Sequence, residues 1–172
     1  PIHPTPMIGM AGIIEDEYAL PETAIFSTDI ELAVVGPKEG ELGGSTLAAQ
    51  WFKRDCGKPE DTDLTLLERA LRFCSRIRGK KFTYALHDIS DGGLLTALLE
   101  MSFRSRYRDC IGLDLHIPFG TDVDRLLFGD TVPRIVVAYE AIERTDIEAI
   151  ANQAGVDFTY LGTTNDQGNV TI

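Results

Sequence analysis

The sequence predicts an α/β fold in which helices pack on a mixed β-sheet. Short apolar runs rich in Val, Ile and aromatic residues alternate with segments of helical periodicity. Paired strands at each end of the chain favour a mixed over a purely parallel sheet. The 172 residues, 44% hydrophobic and 25% charged, match one domain with a sizeable core.

Taken in order, PMIGMAGIIED (6–16) reads as a strand, and AIFSTDIELAVVG (24–36) as a second with a bulge near Asp29. STLAAQWFKR follows a turn-rich stretch and reads as a helix capped by Ser45. Asp61, Thr62 and Asp63 open the next helix, where carboxylates complement the dipole. Leu64, Leu67, Ala70, Leu71, Cys74 and Ile77 supply its apolar face, and Gly79 stops it. FTYALHD (82–88) is a strand, and LLTALLEMSF (94–103) an apolar helix buried on more than one side. CIGLDLHIP (110–118) alternates as a strand; TDVDRLLFG (121–129) is a short helix capped by Thr121; RIVVAYE (134–140) is a buried strand. A helix over 145–154, capped by Thr145 or Asp146, ends before Gly155, and strands at 158–163 and 169–172 close the chain.

Charge and cysteine content narrow the function classes. A net charge of −11 and a pI near 4.6 argue against nucleic acid and against an anionic membrane surface. No apolar run approaches the roughly 18–20 residues of a membrane span. Cys56, Cys74 and Cys110 form neither a CxxC pair nor a disulfide framework, so a reducing cytoplasm is the expected compartment. The start at Pro1, with PIHPTP reading as an extended linker placed at residues 1–5, suggests a single domain over 1–172 excised from a longer multidomain protein.

Three Gly-rich turns carry candidate chemistry. In HDISDGGLLTALLEMSF, a strand ends at His87-Asp88, the bend Ser90-Asp91-Gly92-Gly93 follows, and a helix begins. Free N–H groups at such a helix start attract anions, and Asp88 lies at a strand end where α/β sheets bind ligands. The commoner use of such residues is structural, Ser90 or Asp91 capping the helix while the glycines pack it on the sheet. GELGGS places Gly43, Gly44 and Ser45 before a helix, without the lysine of a P-loop. LFGDTVPR places Gly129, Asp130 and Thr131 in a turn able to hydrogen-bond a ribose or phosphate, or to form an Asx turn. His3, His87 and His116 are not spaced as zinc ligands, and His87 reads as a structural hydrogen bonder. Cys74 reads as core, and RSRYRD (104–109) as a solvated loop. No nucleophile motif is present.

Four segments in order give a resemblance. HDISDGGLLTALLEMSF resembles the SDGGL segment of the phosphoribosylformylglycinamidine synthase family, within the aminoimidazole ribonucleotide synthetase superfamily. PTPMIGMAGIIED is similar to that family's PTP-strand-ED entry, ELGGS to its LGGS turn, and LLFGDTVPRIVV to its LFGES-type segment. The resemblance covers nearly the whole chain and matches the second C-terminal-type domain of the synthetase unit. It implies a three-layer α/β/α fold around a mixed sheet.

The resemblance implies an ATP- and Mg²⁺-dependent ligase of purine biosynthesis. The reaction makes formylglycinamidine ribonucleotide from formylglycinamide ribonucleotide and glutamine-derived ammonia. It further implies Asp88 as a magnesium ligand. The cofactor-binding positions it implies are Asp88, Ser90, Asp91, Gly92 and Gly93, with Gly43, Gly44, Ser45, Gly129, Asp130 and Thr131. The principal catalytic residues belong to other domains, so no catalytic residue is assigned here and the isolated domain is expected to be inactive. Implied partners are the remaining synthetase domains, a glutaminase domain or subunit, and the ribonucleotide substrate. The 129–131 loop departs from the pattern, with Asp130 where the first domain has Ser and no Glu. Two alternatives are another superfamily member (a selenophosphate synthetase, thiamine-phosphate kinase or aminoimidazole ribonucleotide synthetase) and a scaffold domain without ligand.

Overall fold

A computed structural model describes residues 8–13, 20–54, 56–59, 61–78, 80, 84–103 and 110–172. Along the chain run β1 (Glu31–Val35), α1 (Thr46–Phe52), α2 (Leu64–Arg78), β2 (Tyr84–Asp88), α3 (Gly93–Phe103) and β3 (Gly112–Leu115). Then come α4 (Val123–Phe128), β4 (Ile135–Tyr139), a 3-10 turn at Ala141–Glu143, α5 (Arg144–Ala154), β5 (Phe158–Asn165) and β6 (Val170–Thr171). One six-stranded sheet has the order β2-β4-β1-β5-β3-β6. It is mixed, because β3 and β6 pair parallel while the other ladders are antiparallel.

Strand periodicity builds the layers. In β1, Leu32 and Val34 enter one apolar cluster while Ala33 and Val35 enter the other; in β4, Val136 and Ala138 oppose Val137 and Tyr139 in the same way. Such strands are buried on both faces and read as continuous apolar runs. Leu94, Ala97, Leu98 and Met101 of α3, with Leu126 and Leu127 of α4, cover one face. Ala70, Phe73 and Ile77 of α2, with Ile147, Ile150, Ala151 and Ala154 of α5, cover the other. The result is the expected α/β/α sandwich.

Several boundaries differ from expectation. Residues 8–13 form no strand, and Ile8, Met10 and Ile13 are exposed; positions 6–7 and 14–16 lie outside the described residues. The edge of β2 is met instead by Glu22, whose carbonyl accepts from the Leu86 N–H at 2.9 Å. The second strand starts only at Glu31, because Asp29 has φ +60 and breaks the extended run. The register shift in β1 falls between Leu32 and Ala33, against β5.

On α2, Leu64 and Leu71 are exposed and Phe73 is buried. The stripe Ala70, Phe73, Ile77 faces the sheet, which rotates the buried face away from Leu71. Asp63 caps this helix by accepting from Thr65 and Leu66 N–H. The cap of α4 is Asp122 rather than Thr121, its Oδ1 accepting from Asp124 and Arg125 N–H. α5 begins at Arg144, without Thr145 or Asp146 as cap, because the 3-10 turn runs straight into it. Arg144 is anchored there by a two-pronged ion pair to the buried Glu31, at 2.6 and 2.5 Å, and stacks 4.4 Å over Tyr160. The linker at 1–5, Gly79 and the 104–109 loop lie outside the described residues.

Candidate functional site

Two of the three Gly-rich turns, distant in sequence, meet in space. The Gly40 and Gly129 backbones cross so closely that a Cβ on Gly40 would lie 2.8 Å from the Gly129 carbonyl carbon, leaving no room for a side chain on either. Around this crossing the Gly40 N–H donates to the Arg125 carbonyl at 2.9 Å, and the Asp130 N–H to the Glu41 carbonyl at 3.2 Å. Thr131 Oγ1 accepts from the Glu41 N–H at 2.5 Å. Arg125 reaches back from α4 to the Gly40 carbonyl at 3.2 Å and pairs with Glu41.

The start of α1 is the junction. Ser45 caps it as expected, its Oγ accepting from the Ala48 N–H at 3.2 Å. Asp130 Oδ2 accepts from the Thr46 N–H at 2.9 Å, placing a carboxylate where the helix dipole favours negative charge. The other oxygen, Oδ1, is buried without a hydrogen-bond partner among the described residues. An external phosphate at this helix start would have to displace Asp130.

Gly43, Gly44, Asp130 and Thr131 line a cavity of about 180 Å³, with Glu41, Pro59, Asp61 and Thr62. Three carboxylates and two threonine hydroxyls give it an acidic, hydroxyl-rich wall, suited to hydroxyl or cationic groups more than to bare phosphate. Asp61 and Thr62 were read from the sequence only as the opening of a helix, and Pro59 not at all, so none of the three was assigned to a site. The signal was the Gly-Lys-Pro turn before the helix cap, which reads as punctuation only.

Arg134 was also missed. It is 1% exposed, and its guanidinium donates to four backbone carbonyls from the two turns and their flanks. Burial pulls it down to about 10, against the charges of Asp130 and Glu39. An arginine between Pro133 and the apolar run IVVAY is the sequence sign of a buried charge.

The 88–93 bend sits apart from that cavity's lining. The Gly93 N–H is paired to the Ser90 carbonyl at 2.9 Å, and the Ile89 N–H to the Arg134 carbonyl at 2.9 Å. Gly93 packs α3 against the end of α4, where a Cβ would meet the Leu127 oxygen at 2.7 Å. Gly92 bears the Thr96 hydroxyl on its carbonyl at 3.0 Å, while Asp88, Ser90 and Asp91 are exposed. His87 lies between Asp88 and Glu100, its Nδ1 2.7 Å from the Asp88 carbonyl and its Nε2 3.3 Å from Glu100 Oε2. Among the described residues no group of three or more His, Cys, Asp or Glu is arranged to hold a metal ion. The described residues thus offer single carboxylates such as Asp88, not an assembled metal cage. Burial pushes the Cys74 thiol up, as a core position does.

The sequence matches the family described as AIR synthase related protein, C-terminal domain, over residues 30–172. It is 34% identical over 164 residues to the phosphoribosylformylglycinamidine synthase subunit PurL of Azorhizobium caulinodans, covering 95% of this chain and 22% of that protein. It is 35% identical over 142 residues to PurL of Lacticaseibacillus paracasei, covering 82% and 19%. The chain thus spans about a fifth of the length of these relatives. The fold superposes on Thermotoga maritima PurL complexed with ATP with a TM-score of 0.69 and 12% identity, covering 88% of this chain and 24% of that one.

Proposed function

The chain belongs to the AIR synthase related family as a C-terminal-type domain, and on that footing we propose that it is one domain of a phosphoribosylformylglycinamidine synthase. The proposed enzyme uses ATP to activate the amide of formylglycinamide ribonucleotide, and glutamine-derived ammonia displaces the phosphate. Residues 1–172 serve as a single wall-forming domain, and the catalytic set comes from other domains with a glutaminase domain or subunit. The three free cysteines fit a reducing cytoplasm.

The site reading is carried by one observation: the 40–45 and 129–131 turns, some 84 residues apart, close around one cavity through the Thr46–Asp130 bond. This wall meets the hydroxyl or cation-bearing side of the nucleotide. The phosphoryl charge is neutralised by basic groups elsewhere, since transfer needs several at once. Asp88, at the end of β2, would offer one carboxylate to a magnesium ion completed by groups of the other domains. The exposed Ser90 and Asp91 of the neighbouring bend face the same nucleotide from outside that cavity.

Turnover assays test the division of labour. The purified 172-residue chain, given ATP, ammonia and formylglycinamide ribonucleotide, should release no phosphate above background. Phosphate release coupled to amidine formation by this chain alone would refute the proposal.

A further inference from the structure

We propose that Arg134 is the positioning residue of this site: one buried side chain and its carbonyl tie all three Gly-rich segments together. Nε donates to the Pro37 carbonyl at 3.0 Å, and Nη2 to the Lys38 carbonyl at 2.9 Å, fixing the approach to the 40–45 turn. Nη1 donates to the Gly129 carbonyl at 2.9 Å, and Nη2 also to the Leu126 carbonyl at 2.8 Å, fixing the end of α4 and the 129–131 turn. On the main chain, the Arg134 carbonyl accepts from the Ile89 N–H at 2.9 Å, joining the start of the 88–93 bend. The functional consequence rests on the reading of the cavity as a ligand site; the positioning itself does not.

Only arginine fits the task. Four carbonyls surround the head, and a planar fork of five N–H donors satisfies them together, whereas the three donors of an ammonium cannot. Among the described residues no carboxylate is hydrogen-bonded to it; the charges of Asp130 and of Glu39, beside the 40–45 turn, act on it from nearby. The residue therefore converts a buried charge into a fixed spacing between backbone segments. Through that spacing Asp130 reaches the Thr46 amide and Thr131 reaches Glu41. Arg134 is not among the residues lining the cavity between the two turns and acts through these neighbours.

Amide hydrogen exchange on the 172-residue chain tests this, with Arg134→Lys and Arg134→Met beside the wild type. The expected result is local. Exchange at Gly40, Glu41, Thr46, Ile89 and Asp130 quickens by at least about tenfold in Arg134→Met, less in Arg134→Lys, while Ile150 and Ala151 in α5 stay unchanged. In the wild type the Arg134 Nε proton should exchange slowly, a readout that requires no variant. Uniform quickening across the sheet and α5, no quickening at the five amides, or a fast-exchanging Nε proton would each overturn the proposal. No nucleotide enters these readouts, so failure of the proposed function leaves this test intact.

Discussion

Gly93 shows how a single residue separates packing from ligand binding. Its φ is +76, and an added Cβ would sit 2.7 Å from the Leu127 oxygen and from Phe128 backbone atoms. Gly120 has a similar φ of +72 but nothing within 4 Å of its Cβ position. Gly120→Ala is expected to cost about 1 kcal/mol for backbone strain, and Gly93→Ala clearly more because the α3–α4 contact must also open. Urea denaturation of the two variants measures the difference; equal losses would mean that α3 and α4 yield freely at this contact. Sequence alone left the two glycines of the 88–93 bend open between anion binding and packing the helix on the sheet. In the structure the second of them is spent on close packing, a property that only the position of α4 reveals.

At the scale of elements, the two α-layers were predictable where periodicity and burial agreed. The existence of α3 and α5, the Ser45 cap and the apolar runs of β1 and β4 follow from spacing alone. The face of α2 followed only in part: Ala70 and Ile77 are buried as expected, but the sheet takes Phe73 and leaves Leu64 and Leu71 exposed. Phe73→Ala should therefore destabilise by about 3–5 kcal/mol and Leu71→Ala by less than about 0.5 kcal/mol. Thermal or chemical unfolding of the pair checks this, and similar losses would restore Leu71 to the buried face. The meeting of the two Gly-rich turns was equally hidden. It depends on α4 bringing Gly129 beside Gly40, a long-range contact that no local pattern encodes.

Over the whole molecule, electrostatics ties the sheet to pH. Burial, then the neighbouring Glu31 charge, pushes the Tyr139 hydroxyl well above its ordinary 10.0. Tyr84 is also raised, by burial first and then by the charge of Cys74. A tyrosine held neutral in the fold ionises in the unfolded chain first. The stability it contributes is fully present below the ordinary tyrosine value and is lost as pH rises beyond it. Between about pH 9 and about pH 11 the wild type should lose more stability than Tyr139→Phe, measured by denaturant midpoints. Parallel losses in the two proteins would show that Tyr139 is not held neutral.

The larger claim is that this acidic domain forms one wall of a nucleotide site whose remaining wall is another domain. Its most direct test is the affinity for Mg-ATP of a protein joining this chain to the other domains of the proposed synthetase, compared between wild type and Asp130→Ala. The account predicts binding by the wild type and a loss of at least about tenfold in the variant, the scale of one charge-assisted contact. Equal affinity in the two proteins would contradict it.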